Sequence, residues 1–438
     1  MEMKMQGLYR ILLALTLMFG AIPLQAEMRV DVTEGTMQPM PIAVLPFSGN
    51  TAETNQMGQN IASVISNDLE SSGLFKPIDS SAFIQSQPSQ EQIRFADWRA
   101  INAQALLKGQ VHQTSDGRMR VEFRLFDVYS ERQLIGYAFT ATSETWRRIA
   151  HKVADQVYQR LSGESGYFDT KIIYVSRVKT GKRRVERLAI MDQDGANHRI
   201  LSDGRALVLT PRLSPNLDLV AYLNFLNRKP NIYLMKMSTQ QNEILGHFPG
   251  MTYAPRFSPD GTKLIMSYAL EGTSSLYLMD LASRQVNRLT QEDGVIDVSP
   301  CFSPDGSQIV FVSDRGGKPQ IYVMGTSDLS PRQISQGEGK YFSPVWSPRG
   351  DLIVFVKQHH GIFYIGVMKT DGSDERMITQ GYMVDSPTWS PNGRVIMFTR
   401  EDRSGQAKLH TIDITGYNER VVPTPHEAIT AAWSPLIP

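Results

Sequence analysis

The sequence predicts a small N-terminal α/β domain followed by an all-β, six-bladed β-propeller closed by its C-terminal strand. Three observations predict it. First, the phrase Ser-Pro-Asp-Gly occurs intact at Ser258-Pro259-Asp260-Gly261 and at Ser303-Pro304-Asp305-Gly306. Altered copies stand at Ser214-Pro215-Asn216, Ser347-Pro348-Arg349-Gly350, Ser390-Pro391-Asn392-Gly393 and Ser434-Pro435. These serines recur every 43–45 residues, the period of one propeller blade. Second, each turn is followed by short apolar runs bounded by turn residues, as in 309–312 and 352–356, which suits strands buried on both faces of stacked sheets. Third, the repeats start out of phase at 171 and end on an orphan first strand at 429–433. Pairing the last strand with the first group closes a ring of six blades.

Within each repeat a large apolar residue precedes the Ser-Pro: Leu213, Phe257, Phe302, Trp346, Trp389 and Trp433. Five copies also carry a proline three residues before the serine: Pro211, Pro255, Pro300, Pro344 and Pro387, with Ala431 in the sixth. Proline donates no hydrogen bond, which suits an inner edge strand that faces a channel. Asp-Gly supplies the positive φ that tight connections need.

A length of 438 residues alone would suggest about three domains of roughly 150 residues. The repeat replaces that division with 1–26 as a signal, 27–165 as the α/β domain and 166–438 as the propeller. In 1–26, Lys4 and Arg10 precede the uncharged stretch 11–21, and Ala26 ends the segment. Eleven residues are too few for a bilayer span, which needs about 20, so a cleaved export signal is expected. The single cysteine, Cys301, lies in a repeat strand and reads as a small buried hydrophobe. A net charge of +1 gives no reason to expect a nucleic-acid or anionic-membrane partner.

Residues 27–35 alternate, with Met28, Val30 and Val32 on one side and Arg29, Asp31 and Thr33 on the other. A Pro- and Met-rich tether follows. Such a terminal segment is either a detachable strand for a partner's sheet edge or a fixed edge strand. The α/β pattern starts with a strand at 42–47 and a helix at 54–72, whose stripe is Met57, Ile61, Val64, Ile65 and Leu69, with Gly73 at its end. A segment from 75 to 83 leads into a loop, and 98–103 reads as a helical turn. A meander follows at 105–112, 119–128 and 133–140. In its middle strand Met119, Val121, Phe123 and Leu125 alternate with Arg118, Arg120, Glu122 and Arg124, one buried face and one wet. A second helix at 143–161 carries Trp146, Ile149, Val153, Val157 and Leu161 on one face.

No Gly-x-Ser-x-Gly elbow, His-Glu-x-x-His or Cys-x-x-Cys is present. His359-His360 reads as a solvated hairpin pair. Asp297 and Asp385 read as occupying equivalent places in two repeats, just before the inner strand, where they either hold a cation at the channel mouth or cap turns. The segments before the inner strands should emerge as loops on one face of the disc, with the Ser-Pro turns on the other. These loops are 209–210, 252–254, 297–299, 341–343, 384–386 and 428–430. Tyr253, Tyr341, Phe342 and Met251 form an apolar set there, as a protein-binding surface would. No catalytic residue, metal or cofactor is expected.

The phrases at 120–128 (Arg-Val-Glu-Phe-Arg-Leu-Phe-Asp-Val), 150–158 (Ala-His-Lys-Val-Ala-Asp-Gln-Val-Tyr) and 166–175 (Gly-Tyr-Phe-Asp-Thr-Lys-Ile-Ile-Tyr-Val), with the Ser-Pro repeats, resemble the TolB family. Its members are periplasmic components of the Tol-Pal system. The resemblance spans nearly the whole mature chain and is most specific at 150–175. It implies a non-enzymatic periplasmic adaptor, monomeric and not inserted in the membrane, that supports outer-membrane integrity and constriction during division. It implies that the outer-membrane lipoprotein Pal binds the propeller rim, here Met251, Thr252, Tyr253, Ala254, Asp297, Val298, Tyr341, Phe342, Val384 and Asp385. Ala254 keeps a family residue, whereas Met251 stands where some members have His and Val298 where some have Thr. It implies that TolA binds the mature N-terminus, here Glu27, Met28, Arg29, Val30, Asp31, Val32, Thr33, Glu34 and Gly35. Bacteriocins can exploit such a system. The alternatives are a hydrolase with a site in the channel and a propeller that senses a small ligand or cation.

Overall fold

The computed structural model describes residues 28–30, 38–85, 93–181, 183–226, 230–246 and 251–437. The expected signal at 1–26 lies outside the described residues, as do Glu27, Asp31, Val32, Thr33, Glu34 and Gly35. No described helix is long and apolar enough to cross a membrane.

The N-terminal sheet contains β1 (Met40–Val44), β2 (Ser48–Gly49), β3 (Phe75–Pro77), β4 (Ala105–Gln113), β5 (Met119–Asp127) and β6 (Arg132–Ala141). β1 lies parallel between β3 and β4, and β4, β5 and β6 form the antiparallel meander. The helices are α1 (Ala52–Ser71), α2 (Phe95–Ala100) and α3 (Trp146–Ser162). α1 starts earlier than its apolar stripe suggests, because Thr51 caps it by accepting the Thr54 N–H. Gly73 follows its end at φ 74°. Ile61, Val64, Ile65 and Leu69 of α1 meet Ile149, Val153, Val157 and Leu161 of α3 over Val121, Phe123 and Leu125. Trp98 of α2 covers the other sheet face with Ala43, Leu45 and Leu106.

Six four-stranded sheets form the propeller. The strand Glu427–Trp433 pairs with Lys171–Thr180, with Trp433 opposite Ile172 and Ile429 opposite Val175. The C-terminal strand therefore closes the ring, as the orphan strand predicts.

The innermost strands are Val208–Leu213, Met251–Phe257, Asp297–Phe302, Lys340–Trp346, Met383–Trp389 and Glu427–Trp433. The segments expected as rim loops are therefore the opening halves of these strands. The cause is a bulge repeated in every blade. The residue before the proline (before Ala431 in the closing strand) has left-handed φ: Thr210, Ala254, Ser299, Ser343, Ser386 and Thr430 lie between 48° and 56°. The ladder shifts register at the same place in all six inner strands. Two residues of the inner strand there face one of its partner, so pairing resumes just after the proline, which has no N–H to give.

The Ser-Pro turns share one hydrogen-bond pattern. The Ser258 hydroxyl donates to Asp260 at 2.5 Å and accepts the Lys263 N–H at 2.9 Å. Asp260 also accepts the Thr262 N–H, and these donors hold its carboxyl down at about 2. The same set recurs around Ser303, and Asn216 and Asn392 supply the acceptor in two altered copies.

The N-terminal domain docks on this Ser-Pro face. Asn392 donates to the Ser165 carbonyl at 2.9 Å, Arg349 pairs with Glu164 at 3.0 Å, and Asn418 donates to the Ser71 carbonyl at 2.8 Å. Between the domains lie Tyr158, Tyr167, Phe168 and Trp433, with ring centroids 4.4–5.8 Å apart. Asp155 of α3 accepts the Phe168 and Asp169 N–H groups, and a Cβ on Gly166 would sit 2.2 Å from that carboxylate. One apolar core thus runs from β1 through the linker to Trp433.

Candidate functional site

The face opposite the Ser-Pro turns carries the starts of the inner strands and the hairpins that join second to third strands. Leu207, Ile296, Tyr382 and Met383 are exposed just before or at inner-strand starts. Leu226, Leu270 and Ile362 are exposed in the hairpins. These seven side chains make this face the candidate surface. Sequence reasoning missed all seven. Their signal was an apolar residue standing inside a turn-rich segment, as at Ile296 and Tyr382.

The bulges decide which rim residues face outward. Counting back from the left-handed residue, Val298, Phe342 and Asp385 stand one place before it and are half-buried. Asp297, Tyr341 and Val384 stand two places before it and are buried inside their blades. Asp297 and Asp385 are therefore not equivalent, a correction to the sequence reading. They differ by one residue, and in a strand one residue exchanges faces.

Asp297 is 1% exposed and accepts Arg315 Nη2 on both oxygens at 3.0 Å. Its charge is already matched, so neither a turn cap nor a cation site describes it. Tyr341 donates to Glu375 at 2.9 Å beneath Lys357, and burial raises its phenol pKa despite the lysine. Asp385 accepts the Ser343 hydroxyl of the preceding blade at 3.0 Å. It lines a cleft of about 130 Å³ with Arg177, Met383, Glu401, Ile429 and Thr430. Arg177 there pairs with Glu186 at 3.0 Å, with Glu401 at 3.7 Å and Glu427 at 3.9 Å beyond. Met251, Thr252 and Tyr253 share the inner strand with Ala254, opposite Ala269, Tyr268 and Ser267. Ala254 is half-buried at φ 48°.

The described part of the N-terminal segment, Met28 to Val30, does not join a sheet. Val30 is buried, and its N–H donates to the Leu161 carbonyl at the end of α3 at 2.7 Å. Met28 packs partly on the same core, and Arg29 is exposed. His359 ends a strand and His360 turns the hairpin at φ 49°, as the sequence suggests.

Among the described residues, one group has metal-ligand spacing: Asp68, His151 and Asp194, between the domains. Arg147 already pairs with Asp194, and Lys171 with the neighbouring Asp192. Asp68 accepts His151 Nδ1 at 2.6 Å and Gln193 at 2.8 Å. Burial opposes a charged imidazole, but Asp68, with Asp194 and Asp192 behind it, lifts His151 to about 9. The His151–Asp68 pair lies within the N-terminal domain, and Gln193 and Asp194 of the propeller join it through Asp68 and Arg147.

Fold and surfaces define a class: a six-bladed propeller welded through its Ser-Pro face to an α/β domain, with its opposite face apolar and open. The family described as the TolB beta propeller domain matches residues 158–437, and the TolB amino-terminal domain matches 28–134. The chain belongs to the TolB family. It is 53% identical over 235 residues to the Tol-Pal system protein TolB of Paramagnetospirillum magneticum, an alignment spanning 53% of this chain and 53% of that relative. The crystal structure of TolB from Acinetobacter baumannii superposes with a TM-score of 0.81 at 27% identity, covering 93% of this chain and 99% of that one.

Proposed function

We propose that this protein is a non-enzymatic, periplasmic adaptor of the Tol-Pal system. It binds the lipoprotein Pal on the open face of the propeller and TolA through residues 27–35. In this role it supports outer-membrane integrity and constriction during division. The observation that carries the reading is the apolar face formed by Leu207, Ile296, Tyr382 and the hairpin residues, on a scaffold whose other face carries its own N-terminal domain on one side. The outward residues Ala254, Val298, Phe342 and Asp385 are the direct contacts. Asp297, Tyr341 and Val384 support them from within the blades.

Among the described residues of the N-terminal segment, Val30 is buried with its N–H on the Leu161 carbonyl and Met28 packs partly on the same core, a short contact that TolA would release. Burial of one valine contributes about 1.5–3 kcal/mol. Pal and TolA binding are coupled through that release, and coupling must be reciprocal. The test measures TolA affinity with and without saturating Pal. A changed affinity, matched by an equal change in Pal affinity with TolA, supports the coupling; identical values refute it. Loss of TolA binding on deletion of 27–35 supports the assignment of that segment, and unchanged binding refutes it.

A further inference from the structure

The Ser-Pro end of the channel opens into a cavity of about 390 Å³ that no residue of the N-terminal domain lines. Its size falls within the range of small-ligand pockets. The six inner strands present one equivalent position to it: Arg212, Arg256, Cys301, Val345, Thr388 and Ala432. Two neighbouring blades thus aim arginines into a ring that is otherwise uncharged.

Arg212 is 8% exposed. Its Nη1 donates to the carbonyl of the adjacent Pro211 at 2.7 Å, and its Nε has no hydrogen-bond partner. Among the described residues no carboxylate ion-pairs with Arg212 or Arg256. Burial lowers the pKa of both guanidiniums, and for Arg212 the charge of Arg256 adds to it. A buried cation without an ion pair is strongly unfavourable, so an anion entering here would be met by two guanidiniums with which no carboxylate pairs among the described residues. The walls beyond them are Phe257, Phe302, Trp346 and Trp389, with prolines at the mouth.

We propose that this cavity binds a small organic carboxylate with an apolar body, its carboxylate held by Arg212 and Arg256 and its body against the aromatic wall. The planar guanidinium fork matches a carboxylate in two-point contact, and the rings supply apolar area. The site is distinct from the open face and does not depend on the adaptor reading.

Calorimetric titration of the full chain with benzoate, benzamide and inorganic phosphate tests it. Benzoate should bind at one site about tenfold or more tightly than benzamide, the difference expected of charge-assisted hydrogen bonds. Phosphate at equal concentration should not displace it. In the double variant Arg212→Met, Arg256→Met, benzoate should weaken to the level of benzamide. Benzoate should also slow alkylation of Cys301, which lines the same cavity, in the unmodified protein; this readout needs no variant to fold. Equal affinity for benzoate and benzamide, displacement by phosphate, an unaffected double variant, or unprotected Cys301 would each overturn the proposal.

Discussion

The two faces of the propeller are built from the same six strands and do opposite work. On the Ser-Pro face the chain covers itself. The copies that touch the N-terminal domain are altered ones: Arg349 reaches Glu164, and Asn392 reaches Ser165. The two intact phrases, at 258–261 and 303–306, make only their own turns. On the open face the strands begin with bulges, and apolar side chains remain in water. Two of the altered copies thus supply contacts to the N-terminal domain, whereas the altered copy at 214–216 makes its own turn. Changes at the seam should therefore cost stability, and changes on the open face should cost binding.

The largest expected effect is removal of residues 427–437. It takes away the inner strand of the closing blade and leaves Lys171–Thr180 without its partner. Cooperative melting of the propeller should be lost, and Trp433→Ala alone should lower stability by about 3–5 kcal/mol. An unchanged melt would contradict the closure. Next comes Asp68→Ala, which strands buried His151 and Gln193 without their acceptor. Denaturant unfolding should show a loss of about 3–5 kcal/mol.

The buried Asp68–His151 pair, inside the N-terminal domain beside the seam, gives the fold a pH dependence. His151 holds its proton to about 9 when folded, against 6.5 ordinarily. Its contribution is therefore complete below about pH 6.5 and is lost as pH rises through 9. Unfolding free energies measured from pH 6 to 10 should fall across that window, and Asp68→Asn should flatten the fall.

The smallest effect belongs to the bulges. Thr210 is β-branched at φ 48°, and its hydroxyl is buried without a partner. Thr210→Gly removes both costs and adds chain entropy to the unfolded state, so stability should shift by no more than about 1 kcal/mol, toward gain. A loss of several kcal/mol in a chemical melt would mean that the threonine packs in a way its backbone does not suggest.

Much of this architecture could be read from residue order, because a repeat repeats its physics. The Ser-Pro spacing gave the blade count, and the orphan strand ending at Trp433 gave the closure. The phrase 150–175 stood out as specific, and it proves to be the seam, where Asp155, Gly166, Tyr167 and Phe168 lock the linker. The facing of the rim residues was hidden. Asp297 stands two residues before its bulge and Asp385 one before, so period-2 alternation buries the first and leaves the second half-buried in the cleft beside Arg177. The Asp68–His151–Gln193 contact was hidden too, since its partners lie 83 and 125 residues apart and no local pattern joins them.

The central claim is that the open face binds Pal while the seam holds the fold. Titrating Pal against the wild-type chain and Ala254→Arg, with melts of both, tests it most directly. The new side chain places a long cation in the middle of that face, at a position outside the seam. The expected result is saturable binding by the wild type, binding weakened by tenfold or more (about 1.4 kcal/mol) in the variant, and melts that agree within about 0.5 kcal/mol. Equal binding by both chains, or no binding by either, would contradict the assignment of the open face.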